Sequence, residues 1–188
     1  MPKQARVPRL MLATWLIELY VAAIQAQEPT SEYYQTLLLE AQEILERHHD
    51  ALDARTTYTL LARLQCTELW LAYACILQDT DKLVQHWIDQ KQWNQALHTL
   101  SAQSALDAYY ASSIALMQHA PEATIQCWQK CDQLDVERLI PALLQYTPAP
   151  NESDVVLMYL QHVIDVQGSK SPAAHALRLS RLCERASN

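Results

Sequence analysis

The chain has 188 residues, half of them hydrophobic, a net charge of −7 and a single glycine, Gly168. That hydrophobic share excludes a disordered chain, and the length suits one domain with a sizeable core or roughly four to six stacked helix hairpins. An acidic balance with no basic stripe excludes a nucleic-acid partner, because phosphate binding draws on clustered Lys and Arg.

Residues 1–8 read as a basic, disordered arm carrying Lys3 and Arg6, and 9–188 as one helical segment. Lys3, Arg6 and Arg9 precede an apolar run from Leu10 to Ile24, which shares the outward marks of a secretory leader. Glu18 interrupts the run, and small residues do not fill both cleavage positions. Leu12, Trp15, Leu16, Leu19 and Tyr20 instead recur at i, i+3, i+4, leaving Thr14 and Glu18 on another face. The spacing predicts an amphipathic helix with those five residues inward, too short and too polar to span a bilayer.

Pro29-Thr30-Ser31 marks a stop followed by a cap. The next helix, 32–49, buries Tyr34, Leu37, Leu38, Ala41, Ile44 and Leu45. Asp53 caps a third helix bearing Tyr58, Leu61 and Leu64, and Thr67 with Glu68 opens a fourth with Leu69, Trp70, Tyr73 and Ile76. A fifth opens at 79–81.

From there a repeat sets in. Leu83, Val84, Trp87 and Ile88 form one face, a polar turn follows at 89–92, and Trp93, Ala96, Leu97 and Leu100 form a second. Ile125, Trp128 and Leu134 stand 41 residues beyond Val84, Trp87 and Trp93, and Leu139, Ile140 and Leu143 complete the second copy. A third helix pair is expected between the copies, with Leu106, Tyr109, Tyr110, Ile114 and Met117 as its stripe. Paired helices at a period of roughly 40 residues are the mark of a helical solenoid. If Trp87 and Trp128 are both repeat anchors, replacing either with Ala should cost about 3–5 kcal/mol.

Pro121 suits the first turn of a helix, and Pro141 should kink the next or mark its first turn. The stretch 147–151 is a loop. Ser153 or Asp154 then caps a helix with Val156, Met158, Tyr159 and Val163, which Gly168 ends. A last helix, 172–185, carries Ala176, Leu177, Leu179 and Leu182 with no polar capping repeat behind it. Its apolar stripe, Leu177 and Leu182 included, is expected to contact another element or partner.

Chemistry is sparse. Phosphate loops, dinucleotide fingerprints and nucleophile elbows need glycines that are absent. Cys127 and Cys131 share an i, i+4 face, but four zinc ligands in close pairs are not available from Cys66, Cys75 and His119. The five cysteines read as reduced thiols of a cytosolic protein. His48 and His49, beside Asp50, diverge by about 100° on a helix, and Glu40, Glu43 and Glu46 read as a solvated face. No catalytic, metal or cofactor residue is assigned, the protein is expected not to be an enzyme, and its protein-interface residues stay undefined.

Several stretches resemble one family, that of vacuolar protein sorting-associated protein 18, also called Pep3 or deep orange. They are Trp15-Leu16-Ile17-Glu18-Leu19-Tyr20, then 57–64, then 74–100 with Ile76-Leu77-Gln78-Asp79, Val84-x-x-Trp87 and Ala96-Leu97-x-x-Leu100. Leu139-Ile140-Pro141-Ala142-Leu143-x-x-Tyr146 is the most specific, followed by Tyr159-Leu160 and 173–182, whereas 27–56 match little. The resemblance implies an all-α, clathrin heavy-chain-like α-solenoid of stacked hairpins, some eleven helices in this chain. It further implies a non-catalytic scaffold in the HOPS and CORVET tethering complexes of endosomes and vacuoles. Other sorting subunits would be its partners, with Rab GTPases and SNAREs linked indirectly. The chain would sit in the cytoplasm, held peripherally on late-endosomal or vacuolar membranes through those partners. The family's β-propeller and RING domain have no counterpart before Pro8 or after Cys183, so no zinc or ubiquitin-ligase role carries over. This chain is expected to be a central slice of such an array. A TPR-like adaptor holding a peptide in its concave face is the competing expectation.

Overall fold

A computed structural model describes residues 6–103, 105–147 and 154–187, and these form eleven α-helices and no strand. The expected basic arm up to residue 5, the loop over 148–151 and the alternative cap Ser153 lie outside the described residues. The helices are α1 (Arg6–Gln25), α2 (Glu32–His48), α3 (Ala54–Arg63), α4 (Thr67–Ile76), α5 (Thr80–Asp89), α6 (Trp93–Ala102), α7 (Leu106–His119), α8 (Pro121–Gln129), α9 (Val136–Gln145), α10 (Val155–Asp165) and α11 (Pro172–Ser187). A short 3-10 turn, His49–Ala51, follows α2.

Their starts obey side-chain chemistry. Ser31 Oγ accepts the Tyr34 N–H at 3.0 Å, Asp53 accepts from Thr56 at 2.9 Å, and Asp135 accepts from Glu137 at 2.9 Å. Asp154 accepts from Val156 at 3.0 Å, so each carboxylate or hydroxyl satisfies a donor that the first turn leaves open. The hydroxyl and N–H of Thr56 hold the Asp53 carboxyl below its ordinary range. Pro121 occupies the first turn of α8, where its missing N–H costs nothing, whereas Pro141 lies inside α9.

The helix ends solve a different problem. With no glycine at these positions, Gln65, Gln78 and Lys91 take left-handed φ values of 54°, 53° and 57° just past α3, α4 and α5. After α3 the Cys66 N–H reaches back to Leu61 O, after α4 Asp79 reaches Ala74 O, and after α5 Gln92 reaches Trp87 O. These are Schellman closures, and they recur every 13 residues. A side chain at such a position costs about 1–2 kcal/mol relative to glycine. Gln78→Gly is therefore expected to raise stability by roughly 1 kcal/mol, read as an upward shift of the urea midpoint.

The chain divides into two compact units, Met1–Asp79 and Thr80–Asn188. In the first, α2 packs on α1 and α4, and α3 on α4 and α1, around Ile17, Val21, Leu45, Leu61, Leu69 and Tyr73. In the second, α5, α7, α9 and α11 contact one another in sequence, α6, α8 and α10 do the same, and neighbours cross-pack. Val84, Leu100, Leu116, Trp128, Leu139, Leu143, Val156 and Tyr159 fill that core. Two interlocked rows of short helices are what stacked hairpins produce.

Three expectations are corrected. Between the repeat copies stands one long helix, α7, not a helix pair. Trp128 is fully buried, but Trp87 is only half-buried against the rim of the second core, so the 41-residue relation extends to burial at Val84 and Ile125 and not at the two tryptophans. In α1 the face is reversed: Ala13, Ile17, Val21 and Ile24 point inward, while Leu12, Trp15, Leu16 and Leu19 are exposed.

Candidate interaction surfaces

Exposed apolar side chains concentrate on particular helix faces. In the second unit the most coherent set lies on α11. Ala174 and Leu177 seat this helix in the core, which removes Leu177 from the expected contact surface. Leu179 and Leu182 project on the other side, beside exposed Ala176 and Cys183. The leucine stripe read from sequence is thus split between an inner and an outer face.

Arg181 fixes the orientation of α11. Its guanidinium donates to the carbonyls of Leu143, at 3.1 Å, and Tyr146 at the end of α9. Carbonyls of a helix's last turn lack donors in the next turn, and a cation at a helix C-terminus also meets the negative end of its dipole. Asp165 accepts from Arg178 at 3.2 Å and ties α11 to α10. Arg181→Ala is expected to lower the unfolding free energy by about 1–3 kcal/mol, because two carbonyls lose their donor. Denaturant titration reads that loss, and Arg181→Lys should recover part of it.

In the first unit the exposed set is the α1 stripe of Met11, Leu12, Trp15, Leu16 and Leu19. Its neighbours are polar and tied down. Tyr20 donates to Glu40 at 3.0 Å, Arg63 lies 3.5 Å from Glu18, and Tyr34 donates to Glu68 at 2.9 Å.

The residues weighed for chemistry do not converge. Cys127 is buried, with Sγ 3.8 Å from Leu97 O and 4.0 Å from the Tyr109 hydroxyl, which itself donates to Leu100 O at 2.9 Å. Cys131 is half-buried beyond the end of α8, Cys66 is buried in the first unit, and Cys75 is exposed. His119 stacks on Trp93 with centroids 4.3 Å apart. His49 meets Asp50 at 3.1 Å on the surface, Glu43 pairs with Arg47, and Glu40 and Glu46 are exposed. Among the described residues no group of three His, Cys, Asp or Glu could hold a metal ion, and no helix is long and apolar enough to cross a membrane.

Burial pushes the thiols of Cys66 and Cys127 upward, so both stay protonated and shielded at neutral pH. A maleimide is expected to label Cys75 and Cys183, which are exposed, within minutes in the native protein. Cys66 and Cys127 should label only after denaturant is added. Peptide mass mapping distinguishes the two classes.

A family model described as VPS18, alpha-solenoid domain, second half, matches residues 81–188. Vacuolar membrane protein pep3 of Schizosaccharomyces pombe is 25% identical over 183 residues, which cover 90% of this chain and 20% of that protein. The vacuolar protein sorting-associated protein 18 homolog of Danio rerio is 29% identical, over 90% of this chain and 18% of its own length. Vacuolar sorting protein 18 of Arabidopsis thaliana is 26% identical, with the same 90% and 18% coverage. The chain therefore spans about a fifth of the length of the curated relatives it matches.

Proposed function

This chain belongs to the VPS18 family, within its α-solenoid region, and from that membership we propose that it serves vacuolar protein sorting as a non-catalytic scaffold. The observation that carries the proposal is a coincidence of boundaries. The family match begins at residue 81, and the second compact unit begins at Thr80, so the matched region is a whole packing unit. Relatives named for vacuolar sorting and for the vacuolar membrane support the cellular role.

The finer reading is a subunit of a tethering complex of the HOPS or CORVET kind. Stacked hairpins would hold binding modules at fixed separation, and the outer face of α11 would meet other sorting subunits. Rab GTPases and SNAREs would be reached through those subunits. Membrane attachment would be peripheral and borrowed from the same partners, on late endosomes and vacuoles.

The test is a tagged pull-down from native cytosol, with mass spectrometry of what co-elutes. Recovery of vacuolar-sorting subunits by the wild type, and their loss from a Leu179→Glu/Leu182→Glu variant, is the expected outcome. Recovery undiminished by that variant would remove α11 as the contact. A wild-type eluate without sorting subunits would remove the scaffold reading.

A further inference from the structure

We propose that the groove between α1 and α3 binds a short acidic segment of another protein in extended form, with two carboxylates four residues apart. The groove has a volume of about 320 Å³, at the small end of ligand-holding clefts. Arg55, Thr56, Thr59 and Arg63 of α3 line it together with Thr14 and Glu18 of α1, and buried Leu60 closes its floor. Both walls belong to the first unit. Thr14 and Glu18 stand on the flank of α1 between its buried stripe and its outer stripe, so the groove is set by the packing of α1 on α3.

The occupant follows from charge and spacing. In a chain of net charge −7, this groove carries two arginines against one glutamate. Arg55, Thr59 and Arg63 recur every four residues, which keeps them along one side of α3 and sets the outer two about 12 Å apart along its axis. An extended chain advances about 13 Å in four residues and returns its side chain to the same face. Acidic residues at the first and fifth positions of a bound segment therefore each meet a guanidinium, whose planar fork suits a carboxylate.

Neither arginine is strongly committed elsewhere. Arg63 lies 3.5 Å from Glu18 in an exposed pair, which is worth little in water. Arg55 approaches Asp53, whose carboxylate is already held by the N–H and hydroxyl of Thr56 at 2.9 and 2.6 Å. Thr59 donates its hydroxyl to Arg55 O at 2.9 Å, so the oxygens of both threonines keep lone pairs for the N–H groups of an extended backbone. A lipid headgroup fits less well. Its phosphates draw on cations that converge, whereas these two stand about two helical turns apart, and a net charge of −7 opposes an anionic membrane.

Fluorescence anisotropy of the full chain with a labelled nine-residue peptide, its two glutamates four positions apart, tests the proposal. Saturable binding is expected, weakening as salt is raised. Arg55→Gln/Arg63→Gln should weaken it at least tenfold with the helical circular dichroism unchanged, because both side chains are exposed. Glu18→Gln, which removes the one like charge in the groove, should tighten it severalfold. Lys82→Gln on α5 should leave it intact. A peptide with its glutamates three positions apart, on opposite faces of an extended chain, should bind at least fivefold more weakly. A wild type that binds no peptide overturns the proposal. So does binding that survives the loss of both arginines, equal binding of the two spacings, or capture of protein-free anionic liposomes in preference to the peptide through the same arginines.

Discussion

Trp128→Ala is expected to cost about 3–5 kcal/mol, among the larger losses available to a single residue here. Trp128 is fully buried in the second unit, and its ring meets Tyr159 edge-on with centroids 5.5 Å apart. Truncation removes the largest side chain in that core and leaves a void bounded by helices on several sides, which cannot close without moving whole turns. Burial also raises the Tyr159 hydroxyl pKa, consistent with a dry pocket around the pair. Among the described residues the indole Nε1 has no hydrogen-bond partner, so part of the tryptophan's contribution is already offset by an unsatisfied donor. Trp128→Phe, which keeps a ring and removes that donor, should therefore cost much less than Trp128→Ala. Trp87→Ala should cost only about 1–2 kcal/mol, since that ring is half-buried. Urea titrations of the three variants give the ranking directly, and a Trp128→Ala loss below 1 kcal/mol would contradict the packing described.

Ile17→Ala is the second large effect, about 2–4 kcal/mol, and its contrast with Leu19→Ala is the sharper part. Ile17 is 1% exposed and lies with Val21 against the core of the first unit, whereas Leu19 faces outward. Leu19→Ala should stay within about 0.5 kcal/mol. Equal losses at the two positions would mean that both faces of α1 are packed within one chain. A larger loss at Leu19 would restore the face expected from the sequence.

The reversal of α1 shows where periodicity runs out. Leu12, Trp15, Leu16 and Leu19 make one helical stripe, but Ala13, Ile17, Val21 and Ile24, stepping by four, four and three, make another. A helix with two apolar stripes has no single inner face written in its own sequence, and packing decides. The last helix met the same difficulty, because its leucines cover more than half its circumference and Leu177 alone of the three went inside. By contrast α2 carries polar residues opposite Leu37, Leu38, Ala41 and Leu45, and its buried face was readable. Caps were readable too, since Ser31, Asp53 and Asp154 announce their helices chemically. The left-handed turns at Gln65, Gln78 and Lys91 were not, because neither Gln nor Lys marks that conformation. Only their 13-residue spacing could have revealed them. The family was legible in Leu139-Ile140-Pro141-Ala142-Leu143, a stretch whose Pro141 is tolerated inside α9. The exposed faces that could meet partners were not, for they depend on which of two apolar stripes the core takes.

The most direct measurement is fractionation of cells expressing the tagged chain, scored for the share that sediments with vacuolar and late-endosomal membranes. A scaffold attached through sorting subunits predicts that the wild type co-sediments, that Leu179→Glu/Leu182→Glu releases it, and that neither binds protein-free liposomes. A wild-type chain that stays wholly in the supernatant, or binds bare liposomes as well as it binds vacuoles, would contradict it.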